Sequence, residues 1–342
     1  MKTCKRIFEK IISPEHLFGA WDQFKKEKRN KADVMSFERD LEQHIFQLHR
    51  DLKNKTYKHG HYSGFYISDP KLRHIHKAEV RDRVLHHAIF KILNPIFEPG
   101  FIADSFSCRV GKGTHKGVER LANMLRTVSR NSTRLCYALK CDVRKFFDSV
   151  DHTILLEILE RRVKDPEMIW LLKEIVGSFT SDALRAKGLP IGNLTSQLFA
   201  NVYMNEFDQF VKHTLRVKHY ARYTDDFVIV SADEAQLKTL LPAMEDFLRE
   251  KLRLTLHPEK VQIVKYRKGV DFLGYVQFPH YRLMREKSKQ RMMRKLDGAA
   301  YRHRLGDLDD ASITATLQSY LGVLSHADAY KLSERLKNQF WV

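Results

Sequence analysis

Cysteine is scarce in this sequence: Cys4, Cys108, Cys136 and Cys141 are all it has, and no two form a Cys-x-x-Cys pair. That argues against a disulfide-stapled scaffold and points to a reducing, cytoplasmic setting. Seventeen histidines include the pairs His59/His61 and His74/His76, but no cysteine stands at ligand spacing, which argues against structural zinc. No apolar run approaches the roughly twenty residues of a membrane span, so no membrane partner is expected. The opening MKTCKRIFEKI is too short and too charged for an export signal. Tandem repeats and low-complexity tracts are absent. Acidic residues are outnumbered, 42 against 60 Lys plus Arg.

What is present fits a two- or three-part enzyme. The chain has 342 residues, 43% of them hydrophobic, enough for a packed core. Its net charge of +18 is suited to polyanions. The charge run Lys25–Lys31 reads most simply as a solvated loop.

Hydrophobic spacing predicts a helix over 36–53, capped by Ser36, and a second over 79–93, stopped by Asn94-Pro95. Glycines 111, 113 and 117 lead into a third, through Val118 and Leu125. Residues 134–143 alternate as a strand, so Asp142 faces away from Tyr137, Leu139 and Cys141. Helix is expected again over 151–175, a turn over 188–192 and helix over 195–211. Two β-rich runs, His219–Tyr223 and Phe227–Val230, enclose Thr224, Asp225 and Asp226 as a hairpin. A helix over 235–252 and strands over 261–266 and 271–278 follow, with Lys268-Gly269 turning between them; from Tyr281 onward the chain reads as helical. The order gives an α+β layout, an antiparallel sheet backed by helices.

Two adjacent carboxylates at a hairpin tip repel each other unless a cation binds there. An Asp-rich turn is the ordinary alternative. Asp142, ending a neighbouring strand ahead of Phe146-Phe147-Asp148, would supply a third carboxylate. Three such groups suit two Mg²⁺ ions about 3.5–4 Å apart, which clamp an attacking hydroxyl and a leaving phosphate.

In their order, Asp142 with Phe146-Phe147-Asp148, Tyr223-Thr224-Asp225-Asp226, Leu256-His257-Pro258-Glu259-Lys260 and Phe272-Leu273-Gly274 resemble the motif series of reverse transcriptases. Upstream, Arg73–His76 through Asp82-Arg83-Val84, Pro95–Glu98 and Ser105–Arg109 resemble the fingers motifs of the group II intron and retroelement branch. The resemblance covers roughly 60–280. Within that branch, Leu189-Pro190-Ile191-Gly192-Asn193-Leu194-Thr195-Ser196-Gln197 is most similar to diversity-generating retroelement enzymes, because Ile191 and Gln197 replace the commoner Gln and Pro.

The resemblance implies a right-hand polymerase: an N-terminal helical extension over 1–60, fingers over 61–133, a palm over 134–280 with a helical part at 150–187, and a small helical thumb over 281–342. It implies Asp142, Asp225 and Asp226 as catalytic residues. With Val143 they would hold two Mg²⁺ ions, with Mn²⁺ as a substitute. It implies Phe147 as the steric gate against a 2′-OH, with a core phenylalanine as the alternative. Arg73, Lys77 and Arg83 are candidates for the dNTP triphosphate, and spacing does not choose among them; Ile191, Gly192 and Gln197 would border the nascent pair. Lys260 is the candidate general acid, and Phe272, Leu273 and Gly274 the primer grip. The basic stretch 282–295 carries seven basic residues and one acidic and would track a duplex. Trp341 would pack on the thumb or a partner. No RNase H or endonuclease domain is expected after the primer grip.

The expected partners are template RNA, primer strand, cDNA, dNTPs and a small basic accessory protein. The expected activity is cDNA synthesis with errors concentrated at template adenines. Two alternatives stay open: a defence-associated or retron-type reverse transcriptase, and a maturase-like RNA-binding scaffold with a silent polymerase. The intact Asp142, Asp225 and Asp226 argue against the scaffold.

Overall fold

The structure is a computed structural model that describes residues 6–68, 71–182 and 186–340. Trp341 and Cys4, both noted above, lie outside the described residues. The chain builds two compact units. One comprises Met1–Ala103, Val143–Arg216 and Pro242–His257; the other comprises Asp104–Asp142, Val217–Leu241 and Pro258–Val342.

The first unit is largely helical, and its core runs along the helix Val80–Phe97. Val84, Leu85, Ala88, Ile89 and Leu93 recur at helical spacing and are fully buried. The helices Pro14–Phe24 and Leu194–Gln209 pack against this face. Leu17, Ala20, Trp21 and Phe24 supply the first of these contacts. Pro95 does not stop the helix, which continues to Phe97. The carbonyl that Pro95 leaves unpaired belongs to exposed Lys91, where water can serve it.

The expected helix over 36–53 is two helices, Ala32–Arg39 and Leu41–Lys53, broken at Asp40, whose φ of −117° and ψ of 38° are not helical. Ser36 sits inside the first rather than capping it. The break lets His44 stack on Phe37, ring centroids 4.5 Å apart. The stretch 151–175 is likewise two helices, His152–Arg162 and Pro166–Gly177. Asp165 makes the break: its Oδ1 accepts from Glu167 N and Met168 N at 3.1 and 3.3 Å. Its Oδ2 accepts from Ile7 N and Phe8 N at 2.7 and 2.9 Å. One buried carboxylate therefore serves two helix starts. Strands β1 (Ser63–Ile67) and β2 (Arg73–Lys77) pair as an exposed antiparallel ribbon.

The second unit holds a four-stranded antiparallel sheet in the order β4-β5-β3-β6. Its strands are β3 (Tyr137–Asp142), β4 (Tyr220–Tyr223), β5 (Asp226–Ser231) and β6 (Gln262–Lys265). Both faces of β3 are covered, since Ala138 and Leu139 are each fully buried, while Lys140 and Asp142, on the Ala138 face, are half-buried. The helix Thr114–Val128 covers one face through Leu121, Met124, Leu125 and Val128, against Ala138, Ala221, Val228 and Val230.

A smaller sheet follows: β7 (Val270–Phe272), β8 (Tyr275–Gln277) and β9 (Arg282–Met284). The expected single strand over 271–278 is thus a hairpin, turned where Leu273 and Gly274 adopt φ of 50° and 90°. The basic stretch begins as strand β9, not helix. Beyond it Glu286–Arg304, Asp310–Leu324 and Tyr330–Phe340 bundle around Met292, Leu296, Leu317 and Leu336. No helix among the described residues is long and apolar enough to cross a membrane.

Candidate active site

Register brings the carboxylates together. β3 ends on Asp142 and β5 begins on Asp226, and these two residues are direct cross-strand partners. Asp226 also pairs with Tyr223 across the β4–β5 hairpin, so the loop is only Thr224-Asp225. Asp226 is therefore the first residue of a strand, one position later in the hairpin than the tip expected from sequence. A two-residue loop needs a left-handed backbone, and Thr224 supplies it with φ of 56°. A β-branched residue is strained there.

Burial pushes the Asp226 carboxyl up to about 6, and the charges of Asp142 and Asp225 act in the same direction. Lys140 and Arg285 oppose the rise without cancelling it. Lys260 Nζ lies 2.6 Å from Asp142 Oδ1, so the candidate general acid is paired with a candidate metal-binding carboxylate. Among the described residues no three His, Cys, Asp or Glu side chains are already gathered around a single point as metal ligands. The donor set nevertheless fits Mg²⁺: carboxylates gathered this closely repel one another, and a divalent cation relieves that repulsion. Val143 is buried and aliphatic and could contribute only its backbone carbonyl.

Phe272 is buried in the core under the sheet. Only the turn Leu273-Gly274 remains for a close backbone approach. The Gly274 carbonyl accepts from Arg285 N at 2.9 Å, and the Arg285 side chain pairs with Asp271.

The remaining candidates lie in the first unit. β2 is tied to the loop after Gly188: His76 N donates to Ile191 O and Asn193 Nδ2 to His76 O, each at 2.9 Å. Gly192, with φ of 114°, lies so close to Ile75 that a Cβ would come within 2.8 Å of its Cγ2. Gln197 is exposed on the first turn of its helix and Ile191 is half-buried. Phe147 is half-buried and packs edge-on against buried Phe146, centroids 5.4 Å apart.

The three candidate triphosphate ligands differ. Lys77 Nζ lies 2.7 Å from Asp33 Oδ2, and Arg83 pairs with the same oxygen while lying over the Phe24 ring. Partial burial raises the Asp33 carboxyl, but its bonds to Lys77 and Arg83 outweigh this and hold it below the usual range. Arg73 stands exposed on the β1–β2 ribbon. Asp33 was not singled out from sequence, since one aspartate in a surface helix carries no signal.

Comparison with known proteins agrees with the geometry. The family described as "Reverse transcriptase (RNA-dependent DNA polymerase)" matches residues 57–277, well over half of the chain. Protein YkfC of Escherichia coli is 28% identical over 263 residues, covering 66% of this chain and 67% of its own length. The group II intron-encoded protein LtrA of Lactococcus lactis is 22% identical, covering 79% of this chain and 56% of its own. Nuclear intron maturase 1 of Arabidopsis thaliana is 30% identical over 37% of this chain and 17% of its own. The chain thus spans only part of each of these relatives. Among solved structures, telomerase from Candida albicans superposes with a TM-score of 0.50 at 12% identity, covering 80% of this chain and 56% of that one, a likeness of fold alone. Two facing carboxylates on neighbouring strands and a family match that spans them lead to one conclusion: the chain belongs to the reverse transcriptase family.

Proposed function

We propose that Asp142, Asp225 and Asp226 carry two-metal nucleotidyl transfer, and that the enzyme copies a retroelement RNA with errors concentrated at template adenines. The observation that carries the chemistry is the cross-strand pair Asp142–Asp226 with Asp225 beside it. When bound, two divalent ions supply Lewis-acid activation of the primer hydroxyl and stabilise the leaving pyrophosphate. Asp142 and Asp226 supply the opposing negative charge from two strands of one sheet, which fixes their separation. Lys260, paired with Asp142, would deliver the proton to a departing phosphate oxygen. Leu273-Gly274 offers backbone to the primer strand.

The subgroup rests on Ile191 and Gln197. Ile191 has no side-chain amide with which to hold a nascent base pair, and its backbone carbonyl is engaged by His76. A looser pocket discriminates less between right and wrong pairs. The preference for adenine and the small basic accessory protein follow from the resemblance. Sequencing cDNA made by the parent and by Ile191→Gln, with and without that accessory protein, tests this reading. Misincorporation should be highest opposite adenine in the parent and fall in the variant; equal, low misincorporation at all four template bases would remove the subgroup.

Similarity to intron-encoded proteins and a maturase supports a second reading, an RNA-binding scaffold. It gives no reason for three carboxylates to be kept in register, so the polymerase reading is preferred.

A further inference from the structure

Arg222 is fully buried in β4, within the run Tyr220-Ala221-Arg222-Tyr223 of an otherwise apolar strand. Burying a guanidinium is costly unless its donors are matched. Here they are spent close to the catalytic hairpin. Arg222 Nη1 donates to Thr224 O at 2.8 Å, and Nη2 donates to Ser105 Oγ at 3.1 Å. The main chain repeats the connection: Arg222 N donates to Asp104 O and Phe106 N to Arg222 O, each at 2.9 Å, as a short parallel bridge. Thr224 Oγ1 adds a 2.6 Å bond to Ser107 Oγ. The strut is itself fixed, because Asp104 is held by Arg120 through two bonds of 2.7 and 3.0 Å.

The carbonyl that Arg222 grips belongs to Thr224, the residue with the strained left-handed φ, and the next two residues are Asp225 and Asp226. A rotation at Thr224 would swing Asp225 away and break the Tyr223–Asp226 pair that starts β5. The carboxylates repel one another, so the hairpin has a standing reason to relax.

We propose that Arg222 is a positioning residue of the active site: braced on the 104–107 strut through Ser105, it holds Thr224 left-handed and so presents Asp225 and Asp226 as ligands for divalent metal. The proposal rests on the carboxylate reading given above. It gives the Ser105–Ser107 motif a role beneath the catalytic hairpin.

The test compares the parent, Arg222→Lys, Ser105→Ala and Asp225→Ala. Mn²⁺ binding is followed by electron paramagnetic resonance without nucleotide, alongside kcat, the KM for dNTP and thermal unfolding. Arg222→Lys keeps a charge but cannot bridge Thr224 and Ser105 in one plane. It should weaken Mn²⁺ binding about tenfold to a hundredfold, as loss of a residue that orients a metal ligand does. kcat should fall in parallel, with KM for dNTP unchanged. Ser105→Ala removes only the far anchor and should shift Mn²⁺ binding about threefold to tenfold with near-parental unfolding; it decides the matter should Arg222→Lys fail to fold. Parental Mn²⁺ binding in folded Arg222→Lys or in Ser105→Ala, with Asp225→Ala binding none, overturns the positioning role alone. Parental Mn²⁺ binding by Asp225→Ala overturns the carboxylate reading and the proposal with it.

Discussion

Three causes act together on Asp226: burial, the charge of Asp142 and the charge of Asp225 all favour its protonated form, which pushes its carboxyl up to about 6. An unfolded aspartate titrates near 3.8. Because the folded value is the higher one, the metal-free protein gains stability from this group as pH falls from 7 towards 4. Metal binding runs the other way, since it needs the ionised form. Between pH 7 and 5 the Mg²⁺ concentration giving half-maximal extension should rise by about tenfold, one proton being displaced per site. Titrating Mg²⁺ at pH 5, 6 and 7 checks this; a requirement constant over that range would mean that Asp226 is not a ligand. Not every residue of the candidate site was as visible as these aspartates. Arg222 left a signal, a lone cation in a buried strand, but the partner that explains it stands 117 positions earlier. Asp33 left none, because its two partners come from β2 and from the helix after it.

Elements were legible where period and flanks agreed. The β4–β5 hairpin, the strand ending at Asp142 and the helix Thr114–Val128 stand where their patterns put them. Breaks were less visible. Asp40 and Asp165 interrupt helices whose apolar spacing continues on both sides; at Asp165 side-chain hydrogen bonds make the break, whereas at Asp40 the side chain makes no cap bond. Leu273 turns left-handed ahead of Gly274 within a run that otherwise alternates as a strand. Pro95 has the opposite character, a breaker tolerated at a solvent-facing position. Asp165→Ala should show how much such a break contributes. Four backbone N–H groups lose their acceptor at once, which should cost about 2–4 kcal/mol. Denaturant unfolding would register it as a lower midpoint; a midpoint equal to the parent's would mean that water replaces the carboxylate at no cost.

At the scale of the whole molecule, charge and connectivity matter most. The net charge of +18 was evident at once, and so was the order of motifs. The assembly of each unit from three separate stretches was not, because no composition shift marks where the chain passes from one to the other. The charge predicts that RNA affinity falls steeply with salt, with a slope of log K against log salt of about −0.7 per phosphate neutralised on a single strand. Affinity measured across a salt series tests this, and a flat response would remove the basic surface as the binding face.

The proposed function assigns RNA-templated DNA synthesis to the carboxylates on β3 and at the β4–β5 hairpin. Primer extension on an RNA template with Mg²⁺, by the parent and by Asp225→Ala shown to be folded by circular dichroism, tests it most directly. The parent should extend, and the variant should be slower by roughly a thousandfold or more, a loss of at least about 4 kcal/mol of transition-state stabilisation. Extension by the folded variant at a rate near the parent's would contradict the account.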